Sequence, residues 1–246
     1  MTLSDSAASE LASSVAEPLG GAGAAFYFNP DTLAKGKELG LKGMHFYMIG
    51  RGGVLGDVHS DVVASAFGYF HKDAVAGLWN SAKDVLAPRA AGALYAECCA
   101  NVGRAKLADV EGLDGFIDAG EAVIAAVNPA GLSLFAGLAA EPRVDDAPGH
   151  AIQVAAVLRE LRGSAHLNAL VASGIVPEVA HAVKRPEMIE PFGWSADLDT
   201  SSFDQGARDE AEALTNKMLA PAFSGLTDEQ AVALQAGAAG IAAALA

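Results

Sequence analysis

Basic residues are scarce in this sequence. Lysine and arginine together number 16 against 30 aspartate and glutamate residues, so the 246-residue chain has a formal net charge of −14 at pH 7. A protein that binds nucleic acid needs many cations, because they replace the counterions along the phosphate backbone. The charge balance therefore argues against nucleic acid as the main partner and predicts an acidic, self-repelling surface.

Aromatic residues, cysteines and long apolar runs are also few. Only 7% of the residues are aromatic, and the two cysteines, Cys98 and Cys99, are adjacent, where a disulfide between them is strained. We expect both to be small buried side chains without a metal or redox role. No apolar run reaches the roughly 18 to 20 residues of a transmembrane helix, and the first residues lack a signal-peptide pattern. The expectation is a cytoplasmic protein with no membrane contact.

The residues that are abundant favour helices. The hydrophobic fraction is 52% and consists largely of Ala, Leu and Val, of which Ala and Leu are strong helix formers. Alternating β-branched runs are hard to find. We therefore predict an all-α fold, a multi-helix bundle in two halves. The segment from Glu141 to Gly149 has the proline and charge content of a connector, which divides the chain into residues 1–142 and 143–246.

Local signals locate several helix ends. Asn29 is a typical N-cap and Pro30 a typical first helical residue. The glycine-rich run at 20–23 is expected to be a kink or a point of close packing, since it lacks the strand and the Gly-Lys-Ser/Thr sequence of a phosphate loop. Pro221 is expected to lie in the break between the last two helices.

The segment from His150 to Arg185 has the outline of two helices joined by a tight turn. Apolar residues recur at the three-and-four spacing of an amphipathic helix, and a glycine-containing turn then leads through Pro177 into a second helical pattern. Arg159, Arg162 and His166 lie on nearby parts of the first helix, because residues three or four apart are one turn apart. The segment therefore predicts a degenerate helix-turn-helix in the C-terminal half.

Arg162 and His166 are the first candidate ligand-binding residues. A guanidinium group can bind a carboxylate or phosphate through two parallel hydrogen bonds, and an imidazole can donate, accept or transfer a proton near neutral pH. A structural alternative stays open, in which Arg162 ties two helices together through a carboxylate and His166 satisfies a backbone carbonyl group.

A second group of candidates lies in the N-terminal half. Arg51 begins a predicted glycine-rich loop, where the missing side chains let a ligand or another backbone approach closely. The helix predicted just before it carries His45 and Tyr47. If Tyr47, Arg51 and His166 converge, they line a pocket. The aromatic residues expected to close that pocket are Phe46, Phe67, Phe70 and Trp194.

No residue pattern identifies a catalytic group, a metal site or a cofactor. The six histidines are scattered without the spacing of metal ligands. A Gly-x-Ser-x-Gly sequence is absent, and the strand needed for dinucleotide binding is missing. Catalytic residues and cofactors are therefore unknown at this stage, and no metal ligand is predicted.

Five segments, in the expected order, carry a resemblance to a known family: EPLGGAGAAFYFNP, FYMIGRGGVLGDVHSDVVASAFGYF, VLRELRGSAHLNALVASG, FGWS and EAEALTNKMLAPAFSGL. The chain resembles the actinobacterial helix-turn-helix-like proteins of the EvbL type, which are loosely MarR-like and whose biochemical role is mostly unassigned. The segments together span most of the chain. The third contains Arg162 and His166, and the second contains Arg51.

The chain departs from the pattern of that family at several points. Family members usually have a His soon after the Glu-Pro, a His where Leu161 stands, and Asp-Gly where Ser164 and Ala165 stand. After the Gly-Trp-Ser they continue with a helix and a winged hairpin, which Asp197 to Gly206 replace here. The resemblance therefore implies a divergent member with a shortened winged region, which weighs against DNA reading.

Three classes of function follow. The favoured one is a small-molecule-binding protein whose ligand lies between helices near Arg51 and His166, in a closed apolar pocket with a few polar groups. One alternative is a cofactor-free acid/base enzyme of specialised metabolism, which needs a His or Asp of displaced pKa at that pocket. The other is a winged-helix-type transcription regulator that has lost its wing. The Ala/Gly-rich segment from Ala231 to Leu245 offers a face for a homodimer, although the same face can close the chain's own core.

Overall fold

The computed structural model describes residues 2–246, and their regular secondary structure is helical. Thirteen α-helices follow one another in this range: α1 (Asp5–Ser14), α2 (Ala16–Ala22), α3 (Pro30–Glu38), α4 (Met44–Gly52), α5 (Ser60–Phe67), α6 (Lys72–Lys83), α7 (Pro88–Lys106), α8 (Leu113–Ala126), α9 (Ser133–Ala139), α10 (Ala147–Ala172), α11 (Pro177–Lys184), α12 (Gln205–Phe223) and α13 (Asp228–Leu245). Two short 3-10 turns, Gly53–Leu55 and Pro186–Met188, and an isolated β-bridge between Thr2 and Thr227 accompany them. The predicted all-α fold is confirmed.

The central helix of the fold is α10. It is 26 residues long and contacts α2, α7, α8, α9 and α12. Every residue from Ala151 to Leu158 is buried, so this part of the helix is covered on all sides. The prediction of an amphipathic helix is wrong for this part, because neighbouring helices surround it. Side chains of α10 reach solvent from Arg159 onwards.

The predicted helix-turn-helix outline is present. The turn between α10 and α11 contains Gly174, whose φ of 72° is in the left-handed region that favours glycine. Pro177 is the first residue of α11, a position where its missing N–H costs no hydrogen bond. The capping of α3 is also as predicted, since the Asn29 side chain accepts a hydrogen bond from the Asp31 N–H.

Two glycine- or proline-containing segments differ from expectation. Arg51 lies in the last turn of α4 and not in a loop. Pro221 lies inside α12 and does not end it. Tertiary packing here overrides local helix-breaking signals. The run at 20–23 is a point of close packing, as predicted: it is largely within α2, and Gly23 lies so close to α10 that a Cβ atom would be 2.7 Å from the Ala155 carbonyl oxygen.

The main hydrophobic core contains residues from both sides of the predicted boundary. Phe46, Trp79 and Phe116 belong to the same buried cluster as Ile152 and Leu234. A smaller buried cluster joins the end of α10 to α11 and α12. The division of the chain near residue 142 stays a prediction.

Small residues of α13 serve close packing within the chain. Gly237 lies against α8, where a Cβ atom would be 2.5 Å from the Cβ atom of Phe116. One of the two uses predicted for this helix, closing the chain's own core, is therefore observed. The homodimer stays a prediction.

Cys98 and Cys99 are buried free thiols, as the sequence predicts. No helix within residues 2–246 is long and apolar enough to cross a membrane. Over the same residues, no group of three His, Cys, Asp or Glu side chains is placed to hold a metal ion.

Candidate functional site

A bidentate ion pair joins α4 to the central helix. Arg51 Nε lies 2.8 Å from Glu160 Oε1, and Arg51 Nη2 lies 2.8 Å from Glu160 Oε2. Glu160 is 1% exposed. A buried charge is tolerated when it is both paired and hydrogen-bonded, and this geometry provides both.

Two tyrosines and a second arginine complete a group that we call the Glu160 cluster: Tyr27, Tyr47, Arg51, Arg159 and Glu160. Tyr27 Oη donates to Glu160 Oε1 at 2.6 Å, and Arg51 Nη1 donates to Tyr47 Oη at 2.9 Å. Arg159 Nη1 donates to Tyr27 Oη at 3.0 Å and to Glu160 Oε1 at 2.8 Å. Two guanidinium groups therefore share one carboxylate.

The arginines control the ionisation of this cluster. Burial raises the pKa of Glu160, but the charges of Arg51 and Arg159, with hydrogen bonds from Arg51 and Tyr27, outweigh burial and bring that pKa to about 2. Burial also raises the pKa of Tyr27 far above its usual value, so its hydroxyl group stays protonated. At pH 7 the cluster holds two cations and one anion.

A second polar group joins α10 to α12, and we call it the Glu212 cluster: Arg162, His166, Arg208 and Glu212. Arg162 Nη2 lies 2.7 Å from Glu212 Oε2, and Arg208 Nη2 lies 3.5 Å from Glu212 Oε1. His166 Nε2 faces the same Oε1 atom at 3.8 Å. The Glu212 side chain is 34% exposed, so water reaches this cluster. Two guanidinium groups again share one carboxylate.

The hydroxyl group of Thr215 determines the tautomer of His166. Thr215 Oγ1 donates to the Ala211 carbonyl oxygen at 2.7 Å and lies 3.0 Å from His166 Nδ1. Because the hydroxyl hydrogen is already engaged, Nδ1 carries the ring hydrogen and Nε2 of the neutral ring is an acceptor. Burial lowers the pKa of His166, Glu212 raises it, and nearby cations such as Arg162 lower it again, with a net decrease.

The face of α10 between the two clusters is open at Gly163. Arg159, Gly163 and His166 share this face, because they are four and three residues apart. A Cβ atom added to Gly163 would have one described atom within 4 Å, Glu160 Oε2 at 4.0 Å. We call this surface, with Arg159, Gly163 and His166 as its floor, the Gly163 groove.

Aromatic side chains from the end of α5 stand between the clusters. Burial raises the pKa of Tyr69 to about 12, although the charges of Arg51 from one cluster and Arg208 from the other oppose the rise. No hydrogen bond within the described chain involves the Tyr69 hydroxyl group. The Phe67 ring centroid lies 4.3 Å from the guanidinium carbon of Arg51. Tyr69 is therefore close enough to both clusters to be affected by their charges, and Phe67 contacts the Glu160 cluster.

A small internal cavity also borders the Glu160 cluster. Its volume is about 30 Å³, which accommodates about two water molecules. Tyr27, Arg51 and Glu160 form part of its wall, together with apolar side chains that include Leu134 and Val157. An organic ligand does not fit this cavity unless side chains move.

The structure brings some of the predicted site residues together and separates others. Tyr47 and Arg51 meet in the Glu160 cluster, whereas Arg162 and His166 belong to the Glu212 cluster. His45 lies on the first turn of α4, where its ring contacts a carbonyl oxygen of the preceding turn at 3.2 Å, and it joins neither cluster. The expected convergence of Tyr47, Arg51 and His166 is thus replaced by two clusters along one groove, because α12 provides the partners of His166.

The structural alternative considered for Arg162 is present as well, since this residue ties α10 to α12 through Glu212. The partner of His166 is a hydroxyl group and not the expected backbone carbonyl group. Among the aromatic residues expected to close a pocket, Phe67 contacts Arg51, whereas Trp194 donates its indole N–H to the Tyr69 carbonyl oxygen at 2.9 Å.

Neither Glu160 nor Glu212 is among the site residues predicted from the sequence. Glu160 is the only acidic residue of α10, and a carboxylate in a buried helix requires a partner of opposite sign, so a signal was present. Glu212 and Tyr27 had no such signal. Glu212 is one of several charged residues in α12, and Tyr27 is one of three consecutive aromatic residues.

The fold and the site define an all-helical protein with a helix-turn-helix pair, α10 and α11, whose first helix carries a polar groove. A model described as a helix-turn-helix family matches residues 11–246, and the chain belongs to that family. Comparisons with curated proteins and with solved structures return no match. The finer resemblance to actinobacterial proteins of the EvbL type stays a prediction.

Proposed function

We propose that this protein binds a small molecule in the Gly163 groove, between the Glu160 cluster and the Glu212 cluster. The observation that carries the proposal is the open floor at Gly163, flanked by Arg159 and His166. Ligand sites are typically concave and combine apolar walls with a few well-placed polar groups. Phe67 and Tyr69 supply aromatic surface, and the two clusters supply the polar groups.

The way the polar groups are held also supports binding. Arg51 and Arg162 are both fixed by carboxylates on neighbouring helices, at 2.8 Å and 2.7 Å. Side chains that are already ordered lose less conformational entropy when a ligand binds. Sites on helices are also more precise than sites on loops.

Filling the groove tests the proposal. Gly163→Leu places a large side chain over the groove floor, and the helix tolerates the change because Leu has a higher helix propensity than Gly. Gly77→Leu is the matched control, because Gly77 lies in α6 with open space around it. A thermal-shift screen of small metabolites, followed by native mass spectrometry, is expected to find compounds that bind the unsubstituted chain and Gly77→Leu but not Gly163→Leu. Compounds that bind all three proteins equally would exclude the groove as their site.

A DNA-binding regulator is the second candidate, favoured by membership of a helix-turn-helix family. In that function α11 would enter the major groove with Glu178 and Lys184, and the net charge of −14 opposes such binding. Fluorescence anisotropy with random duplex DNA at low ionic strength separates the outcomes. Salt-dependent binding that Lys184→Glu abolishes would support a DNA-binding regulator. An absence of binding at low salt would exclude this function.

A further inference from the structure

We infer that the ligand of the Gly163 groove carries an acidic group, a carboxylate or a phosphate, which binds to Arg159 and Arg162. The inference rests on the proposed function and adds the chemical class of the ligand. It follows from the charge around the groove, from guanidinium donors that lack a protein acceptor, and from a contrast with other arginines of the chain.

Positive charge exceeds negative charge around the groove. Each cluster holds two guanidinium groups and one carboxylate, so four cations face two anions and the excess is two positive charges. Burial lowers the pKa of His166 below its usual value, so this ring is not counted among the cations. The chain as a whole has a net charge of −14, so the groove and the remaining surface differ in sign.

Several guanidinium N–H groups at the groove have no acceptor within residues 2–246. Arg159 donates its hydrogen bonds through Nη1, which leaves Nε and Nη2 available. Arg162 donates through Nη1 to Asn216 and through Nη2 to Glu212, which leaves Nε. Arg208 approaches Glu212 at 3.5 Å without donating a hydrogen bond to it. Donors in partly buried positions are normally satisfied by protein, water or ligand.

Other arginines of the chain show a different arrangement. Arg104 has two carboxylates to itself, with Glu97 and Asp146 each at 2.7 Å. Arg143 pairs with Glu121 at 3.1 Å. Two arginines that share one carboxylate are therefore a feature of the groove and not of every arginine in this acidic protein.

An acidic group provides the acceptors that these donors lack. A guanidinium group binds a planar carboxylate or a phosphate through two parallel hydrogen bonds. The Arg159 and Arg162 side chains are 27% and 23% exposed, so their attraction for an anion is screened less than at an open surface. The two residues are three apart on α10, which places them on adjacent turns within reach of one acidic group.

Isothermal titration calorimetry of the full chain in low-chloride buffer tests the inference. Inorganic phosphate, succinate and citrate are the acidic probes, and glycerol and tetramethylammonium are the neutral and cationic probes. We expect at least one acidic probe to bind and neither of the other two to bind. Arg159→Gln and Gly163→Leu are each expected to weaken the binding at least tenfold. The controls Arg104→Gln and Gly77→Leu are expected to leave it within twofold.

The outcomes distinguish the inference from the proposed function. If no acidic probe binds, or if Arg159→Gln binds as tightly as the unsubstituted chain, the inference is wrong. If Gly163→Leu removes the binding of screened compounds that Arg159→Gln retains, the proposed function stands and the inference fails. If Gly163→Leu changes no binding at all, both fail. Circular dichroism verifies the fold of each variant, and Arg159→Lys, which keeps the charge, is expected to retain part of the binding.

Discussion

The Glu160 cluster and the Glu212 cluster are built from the same parts but differ in burial. In both, two arginines share one carboxylate. The Glu160 side chain is 2% exposed, whereas the Glu212 side chain is 34% exposed. Removing a buried carboxylate destabilises the fold strongly, because its cationic partners are left unpaired. A solvent-exposed ion pair contributes little to stability. We therefore expect burial, and not residue composition, to decide how much each cluster contributes to stability.

Removal of each carboxylate is expected to give the largest difference between the two clusters. Glu160→Gln leaves Arg51 and Arg159 buried without their counter-charge, and we expect the free energy of unfolding to fall by about 3 to 5 kcal/mol. Glu212→Gln affects a cluster that water reaches, and we expect a loss of about 1 kcal/mol or less. Urea denaturation followed by circular dichroism measures both. Equal losses would contradict the interpretation based on burial.

Acid is expected to protonate His166 and His181 at a higher pH than Glu160. Burial lowers the pKa of His166, and it lowers the pKa of His181 to about 4. The unfolded chain, with a histidine pKa of about 6.5, therefore binds more protons, and the stability that the neutral rings contribute is lost between about pH 6.5 and pH 4. The pKa of Glu160 is lowered to about 2, so its contribution is lost only as pH falls from about 4.5 towards 2.

Denaturant midpoints measured from pH 8 to pH 3 check this order. His166→Gln and His181→Gln are expected to flatten the upper part of the stability profile and to leave the lower part unchanged. A profile that is flat between pH 6.5 and pH 4.5 in the unsubstituted chain would rule out the histidine contribution.

The smallest expected effect concerns the groove floor between the clusters. Gly163→Ala is expected to raise the free energy of unfolding by about 0.5 to 1 kcal/mol, because Ala is favoured over Gly in a helix interior and the added Cβ atom lies 4.0 Å from its neighbour. Gly237→Ala is expected to destabilise the chain, since its Cβ atom would be 2.5 Å from Phe116. Differential scanning calorimetry compares the two. A destabilised Gly163→Ala would show that the groove floor is not open.

Local sequence signals predicted the helical fold well, as the capped start of α3 at Asn29 and the turn at Gly174 show. These signals give a wrong prediction where a glycine allows two helices to pack closely. The glycines around Arg51 predict a loop, yet Gly50 lies so close to α7 that a Cβ atom would be 2.5 Å from the Cγ atom of Tyr95. These glycines allow two helices to approach closely, and a pattern of residue types does not distinguish that use from a loop.

The candidate site was predictable in part. Arg51, Arg162 and His166 stood out by residue type and spacing, and each is a member of a polar cluster. Their partners were not predictable, because Glu160 is 109 residues from Arg51 and Glu212 is 50 residues from Arg162. Arg51 and His166 are not in direct contact, because Arg51 pairs with Glu160 on α10 and His166 faces Glu212 on α12.

The amino-acid sequence alone predicts that the chain is helical, where a helix-turn-helix pair lies, and which cationic side chains stand out in an acidic protein. Helix propensity and capping act over a few neighbouring residues, so they can be predicted from the sequence. Tertiary packing sets the remaining features: Ala151 to Leu158 of α10 are buried on all sides, Glu160 and Glu212 divide four arginines into two clusters, and Gly163 leaves open space between them. These features depend on which distant helices pack together, since the partner of a charge is chosen by proximity in space.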